Sequence, residues 1–307
     1  MIAVTVLLAL LAALSNASAS VLQRRAAVQE PDRGGGAGSV VRRFGHLLRH
    51  PSWLTGTGLL ALSSLLQAGA LATGSLSLVQ PLLAAELLFT LAVGSVVFRR
   101  RPDARTWLAF AALAVGLALF LLAAAPSPGR PTVRPGAWLV GGGGVLGAVV
   151  LLVLAARPVK GASRAALLGL ASAVTFATTA ALLKEAVGRL ADGPAAMFGH
   201  WSLYATGAAG LVAFLLLQGA LAAGSLTASQ PALTLGDALT SVVLGWVLFS
   251  ETIRLGLHLL PEAIGVALIG AGSIGLAHAS SAAGEWDVTD PTDSPGSAAA
   301  APRTPRR

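Results

Sequence analysis

The sequence predicts an all-α membrane protein of about nine transmembrane helices, built as an inverted repeat in which helices 1–4 and 6–9 flank helix 5 as a linker. Three observations predict it. Hydrophobic residues make up 55% of the 307-residue chain and charged residues only 11%, against about 25% charged in a soluble domain. Apolar runs of membrane-spanning length recur along the chain. Two passages match each other at a fixed offset of 150 residues.

So few charges could not cover soluble domains of this size, whereas a lipid-facing surface should be apolar. The chain has no cysteine, which excludes a disulfide framework, a thiolate metal site and a cysteine nucleophile. A formal net charge of +8 would raise nucleic-acid binding in a soluble protein. Here the arginines sit in short clusters between apolar runs, with little aromatic interleaving. They read as a topology signal, and no nucleic-acid partner is expected.

The apolar runs lie near 2–22, 54–73, 76–98, 106–125, 136–156, 163–183, 197–222, 225–249 and 259–279. Each has roughly the 20 residues that cross a ~30 Å hydrocarbon core as a helix. The hairpin-like junctions at Gly74 and Gly224 could be drawn to give nine or ten. Most connections are short, so neighbouring helices should be antiparallel. The longest, near 23–53, is rich in glycine and arginine. The segment 281–307 is rich in Pro, Ser, Ala and Asp and is expected to be a disordered cytoplasmic tail.

Basic residues orient the helices. Sixteen of the 21 Lys and Arg residues fall in the first, third and fifth connections and the tail, including Arg24, Arg25, Arg99, Arg100, Arg101, Arg157 and Arg164. The other five are Arg130, Arg134, Lys184, Arg189 and Arg254. The rich side is read as cytoplasmic, with the N-terminus outside and the C-terminus inside a cell membrane. Trp53, Trp107, Trp138 and Trp201 stand at helix starts, where an aromatic belt is expected. Ala17-Ser18-Ala19 resembles a signal-peptide cleavage site, but no basic residue precedes the long apolar run, which favours an uncleaved helix.

The repeat pairs Leu71-Ala72-Thr73-Gly74-Ser75-Leu76 and Gln80-Pro81 with Leu221-Ala222-Ala223-Gly224-Ser225-Leu226 and Gln230-Pro231. Leu7-Leu8 and Arg24 align with Leu167-Leu168 and Lys184 at an offset of 160, the extra ten falling in the long first connection. This gives a first half-repeat at 1–130, a linker helix at 131–160 and a second half-repeat at 161–280. Five helices separate the start of one half from the start of the other, so the halves should point oppositely through the membrane. Inverted repeats of this kind build many secondary transporters, with the site near the midplane between them.

These residues resemble the drug/metabolite transporter superfamily, whose EamA-type domains carry an apolar helix with an early Gln-Pro and an acidic residue at its far end. In the second half that is Thr227-Ala228-Ser229-Gln230-Pro231 running on to Leu248-Phe249-Ser250-Glu251. In the first it is Ser77-Leu78-Val79-Gln80-Pro81, with Arg99-Arg100-Arg101 where the acid would stand. The organisation is closest to the NIPA-type magnesium transporters, which resemble it in having nine helices and a first helix ending in basic residues, here Gln23-Arg24-Arg25. A long loop leads on to Trp53-Leu54. The likeness covers about 2–279 and implies transport of magnesium or another divalent cation.

Five residues are candidates for substrate or cation binding. Glu86 and Asp237 each fall near the middle of a span, where an acid costs about 2.5–3.5 kcal/mol and tends to face a cavity or a cation. The structural alternative is a protonated acid bonded to a neighbour such as Gln218 or Ser63. Gln80 and Gln230 precede Pro81 and Pro231. A proline frees the carbonyl four residues earlier, at Ser77 and Thr227, as a helix break could do around a cation; it could equally be a first-turn proline that starts a helix. Asn16 is the fifth. Ser15, Ser18, Thr175, Thr178 and Thr179 are read mainly as hydrogen-bonding glue between helices. Lys184, Glu185 and Glu251 are expected to be interfacial. Gly141-Gly142-Gly143-Gly144 lacks a following Lys-Ser/Thr and is read as close helix packing.

The expectation is thus a secondary transporter working by alternating access, not an enzyme, with no cofactor and no protein metal set identified. Its partners are the lipid bilayer and a cation or small-molecule substrate, with a homodimer left open. The rival readings are a proton-coupled small-metabolite or drug exporter and a non-transporting scaffold or sensor of the same fold.

Overall fold

The computed structural model describes residues 2–28, 51–97, 103–124, 126–127, 129–223, 226–252 and 259–285. Among these there is no strand, and nine helices are long and apolar enough to cross a membrane. The chain therefore has the build of a multi-pass membrane protein. The elements are α1 (Ile2–Val28), α2 (Pro51–Thr73), α3 (Leu76–Leu83), α4 (Glu86–Val97), α5 (Ala104–Ala124), α6 (Ala137–Ala156), α7 (Gly161–Gly188), α8 (Pro194–Gly199), α9 (Trp201–Ala223), α10 (Leu226–Phe249) and α11 (Leu259–Glu285).

Local chemistry sets the ends. Pro51 opens α2 and Pro194 opens α8, where a missing N–H costs nothing. Asp103 caps α5, accepting from the Thr106 N–H at 2.9 Å and from the Thr106 hydroxyl; these two bonds hold its carboxyl below the usual carboxylate range. The four span-starting tryptophans lie within the first turn of α2, α5, α6 and α9.

Small residues let the helices approach, the packing mode that works where lipid removes a hydrophobic drive between helices. On α1 the buried face is Thr5, Ala9, Ala12, Ala13, Ala17 and Val21. On α7, 160 residues on, the buried face is Ala165, Gly169, Ser172, Ala173, Ala177 and Ala181. Helix α2 packs antiparallel on α1: a Cβ on Gly56 would meet Gln23 at 2.9 Å, Ser63 Oγ donates to Ala12 O at 2.9 Å, and Gly69 backs on Leu8. Helix α9 packs antiparallel on α7 in the same way: Gly219 backs on Leu168, and Ser172 Oγ donates to Ala213 O at 2.8 Å. Helices α5 and α11 form the third tight antiparallel pair, Gly116 facing Ile269 and Gly272 facing Leu113.

Several local expectations are corrected. The third span, Leu76–Val97, is interrupted by a turn at Ala84-Ala85 that divides it into α3 and α4. The break lies three residues beyond Pro81, which sits inside α3, and α10 runs unbroken through Pro231. Helix α11 continues to Glu285, past the expected start of the tail at 281. Of the glycine run, only Gly141 is closely packed, against Leu248, while a Cβ on Gly143 or Gly144 would meet nothing within 4 Å. Residues 286–307, most of the long first connection, and Gly224-Ser225 lie outside the described residues.

Candidate functional site

Glu86 is the first residue of α4, directly after the break. The span starts at Leu76, and Glu86 lies ten residues beyond it, ~15 Å from that end. The interruption is a short turn bridged by backbone bonds, Ala84 N to Pro81 O at 3.1 Å, Ala85 N to Leu82 O at 3.0 Å and Leu87 N to Ala84 O at 3.1 Å, and it sets the Glu86 carboxyl at the first residue of α4. Asn16 of α1 completes the arrangement: its Nδ2 donates to Glu86 Oε2 at 2.6 Å. The partner of Glu86 is therefore Asn16 and not Gln218 or Ser63, the latter being engaged with Ala12.

Gln80 and Pro81 are both buried in α3. Gln230 lies in α10 on one face with Thr234, Asp237 and Ser241, at spacings of four, three and four. Asp237 Oδ1 and Ser241 Oγ are buried and have no hydrogen-bond partner among the described residues. A buried unpaired polar atom is costly in a core and in lipid alike. The structure thus brings Asn16 and Glu86 together but does not hydrogen-bond Glu86 to Asp237. Among the described residues no group of three or more His, Asp or Glu side chains gathers as a metal cage.

The threonines of α7 bond within their own helix: Thr175, Thr178 and Thr179 donate to the carbonyls of Ala171, Val174 and Thr175 at 2.8, 2.7 and 2.9 Å. They do not link helices by these hydroxyls. Hydroxyl bonds between helices come instead from residues such as Ser63, Ser172 and the Thr5–Thr73 pair.

At one end of the bundle the charges expected at an interface are buried. Lys184 is 2% exposed and Glu251 0%. Lys184 Nζ lies 2.9 Å from Glu251 Oε1 and donates to Gly74 O at 2.7 Å. Glu251 also accepts from Leu76 N at 2.7 Å, Ser77 N at 3.0 Å and Ser77 Oγ at 2.6 Å, which caps the start of α3. The left-handed Ser250, at φ 55°, ends α10 and turns Glu251 back, so that its N–H donates to Gly245 O at 3.0 Å. Glycine is required at 245, because a Cβ there would meet Ser77 Oγ at 2.5 Å. Beside this pair, Glu185 accepts from Val133 N at 2.5 Å and from Arg189 at 2.7 Å.

The snorkelling expected of Lys184 fails because two acceptors, Glu251 and Gly74 O, reach its ammonium inside the protein. Sequence reasoning noted Glu251 and Lys184 singly. Their 67-residue separation leaves no periodic signal that would pair them. Ser241 was also missed, although its place one turn from Asp237 is readable.

Against known proteins, the chain is 30% identical over 252 residues to an uncharacterized protein of Corynebacterium glutamicum, a match covering 80% of this chain and 84% of that one. The two belong to one family. No family model matches the chain, and no solved structure matches it.

Proposed function

We propose that the chain is a secondary transporter of the drug/metabolite transporter type, in which two inverted halves give alternating access to a central cation site. The observation that carries this reading is Glu86: an acid in mid-span, at a helix break, held by an amide from another helix. Broken helices with polar groups at the midplane are how transporters bind ions inside a membrane. Asp237, with a buried unpartnered oxygen, supplies the second acid.

The repeat is supported by packing. The serine-to-carbonyl bond recurs at equivalent positions, 12 with 63 and 172 with 213, with donor and acceptor exchanged. The start of α1, at Thr5, and the end of α7, at Lys184, both meet the turn at Thr73-Gly74, as opposed halves require. Helices α5 and α11, the fourth and ninth spans, meet each other antiparallel, as pairs related by an in-plane axis would. On this reading the halves are 1–130 and 161–280, α6 is the linker, the N-terminus is outside, and the end bearing Gly74 faces outward.

Magnesium or another divalent cation follows from the resemblance to NIPA-type transporters. Magnesium keeps several waters and needs few carboxylates, which suits one acid per half. A proton-coupled exporter of small metabolites would use the same acids. Uptake by the purified protein in liposomes tests the reading: Glu86→Gln and Asp237→Asn should each cut cation flux at least 10-fold. Unchanged flux in both variants defeats the site, and no flux of any cation or metabolite favours a scaffold.

A further inference from the structure

The polar face of α10 does not end in lipid. From Asp237 and Ser241 the next position along it is Gly245, whose missing side chain leaves room for Ser77 and the Glu251 carboxylate. Beyond Glu251 lies a cleft of 520 Å³ lined by Arg134, Trp246, Ser250 and Thr252 among others. Glu251 therefore stands between the interior stripe and an outer cleft. The connection before α6 is pinned over it: Arg130 N donates to Phe249 O at 2.8 Å and Arg134 Nη2 to Ser250 Oγ at 2.7 Å.

We propose that the Lys184–Glu251 pair is the gate that closes the α10 pathway at this end, with the Lys184 ammonium occupying on Glu251 the place that a transported cation takes when the gate opens. The inference rests on the transport reading above. Its chemistry is an exchange of one cation for another. Removing either partner of a buried pair leaves an uncompensated charge, but a cation that replaces the ammonium keeps the Glu251 carboxylate paired, a monovalent one leaving the site neutral and a divalent one leaving it with one positive charge. Glu251 is built to stay while Lys184 leaves. Three donors from Leu76 and Ser77 hold its two oxygens. Lys184 is held at its tip by Glu251 and Gly74 O, with the Phe249 ring 5.0 Å from Nζ. Its ammonium is a point charge on a flexible stem, held by two bonds against the four that hold the Glu251 carboxylate. The neighbouring acid, Glu185, is committed to Val133 N and Arg189 and does not compete for it.

The test exploits a chain without cysteine. Ser241→Cys, in the full-length protein in liposomes, places the only thiol in the stripe on the inner side of the pair. A membrane-impermeant thiol reagent is applied from the face at which a separate Thr252→Cys variant reacts, Thr252 being exposed at this end. With the native pair, Ser241→Cys should react slowly from that face. Adding Glu251→Gln, which keeps the size and the acceptor oxygen, or Lys184→Met should raise the rate at least 10-fold. Equal rates in both backgrounds overturn the gate, and Glu251→Gln alone decides if Lys184→Met does not fold. The readout needs no flux: faster labelling with no transport of any cation keeps the closure by the pair and defeats the transport reading together with the cation exchange built on it, whereas normal transport with equal labelling defeats only the gate.

Discussion

The side-chain amide of Asn16 donates a 2.6 Å hydrogen bond to Glu86 at the break in the third span. One partner comes from α1 and the other from the first residue of α4, so the bond ties a helix end in mid-span to an intact neighbour. Loss of the donor would leave a part-buried carboxylate short of a partner, worth about 1–3 kcal/mol. Asn16→Leu should therefore weaken cation binding roughly 5- to 150-fold, read as a raised KM for uptake in liposomes, while Asn16→Asp should disrupt through charge repulsion with Glu86.

Breaking the buried pair should cost more. Lys184→Met leaves Glu251 charged and uncompensated, for which about 3–5 kcal/mol is expected. The double variant Lys184→Met with Glu251→Gln should recover part of that loss. Thermal unfolding in detergent, with the two singles and the double side by side, measures the coupling.

Two glycines give a contrast within one protein. Gly245→Ala drives a methyl into Ser77 and Glu251 and should destabilise by about 1–3 kcal/mol, as overpacking does. Gly143→Ala meets no neighbour within 4 Å and should leave stability unchanged or raise it slightly, since alanine is the better helix former. Unfolding midpoints of the two variants in one detergent check this.

The exchanged serines predict equal effects. Ser63→Ala and Ser172→Ala each remove one interhelical bond to a carbonyl, at positions that the proposed repeat makes equivalent. Each should cost about 0.6 kcal/mol, the usual value for such bonds in membranes. A cost several times larger for one than for the other would show that the two contacts are not equivalent in energy.

Asp103 sets a pH expectation. Its carboxyl is held below the ordinary range by the two Thr106 bonds. A depressed folded-state pKa means the cap contributes fully above the unfolded value, and its contribution is lost only as pH falls through the folded one. Protection of the Thr106 amide against hydrogen exchange should persist on acidification through pH 4 and disappear in Asp103→Ala at every pH.

Much of the fold was legible because lipid imposes a simple rule: each span must satisfy its own backbone and show an apolar outside. That rule made the nine apolar runs readable. The candidate site was legible only by residue. Glu86, Asp237 and Asn16 were singled out because acids and amides are scarce inside apolar helices. The Asn16–Glu86 bond was not readable, since it joins residues 70 apart on helices whose rotation depends on packing. Pro81 pointed to a break but not to its place, because the chain holds helical turns on both sides of the proline and yields at Ala84-Ala85.

The sequence by itself determined the number and length of the spans and which rare polar residues must lie within them, because hydrocarbon thickness and the backbone's need for hydrogen bonds act on each segment alone. Only the tertiary structure decided that Lys184 and Glu251 meet over the turn at Gly74 instead of reaching for water. That outcome depends on where three separate segments are carried relative to one another, and a charge at a helix end can be satisfied equally by solvent or by a partner until packing brings one within 3 Å.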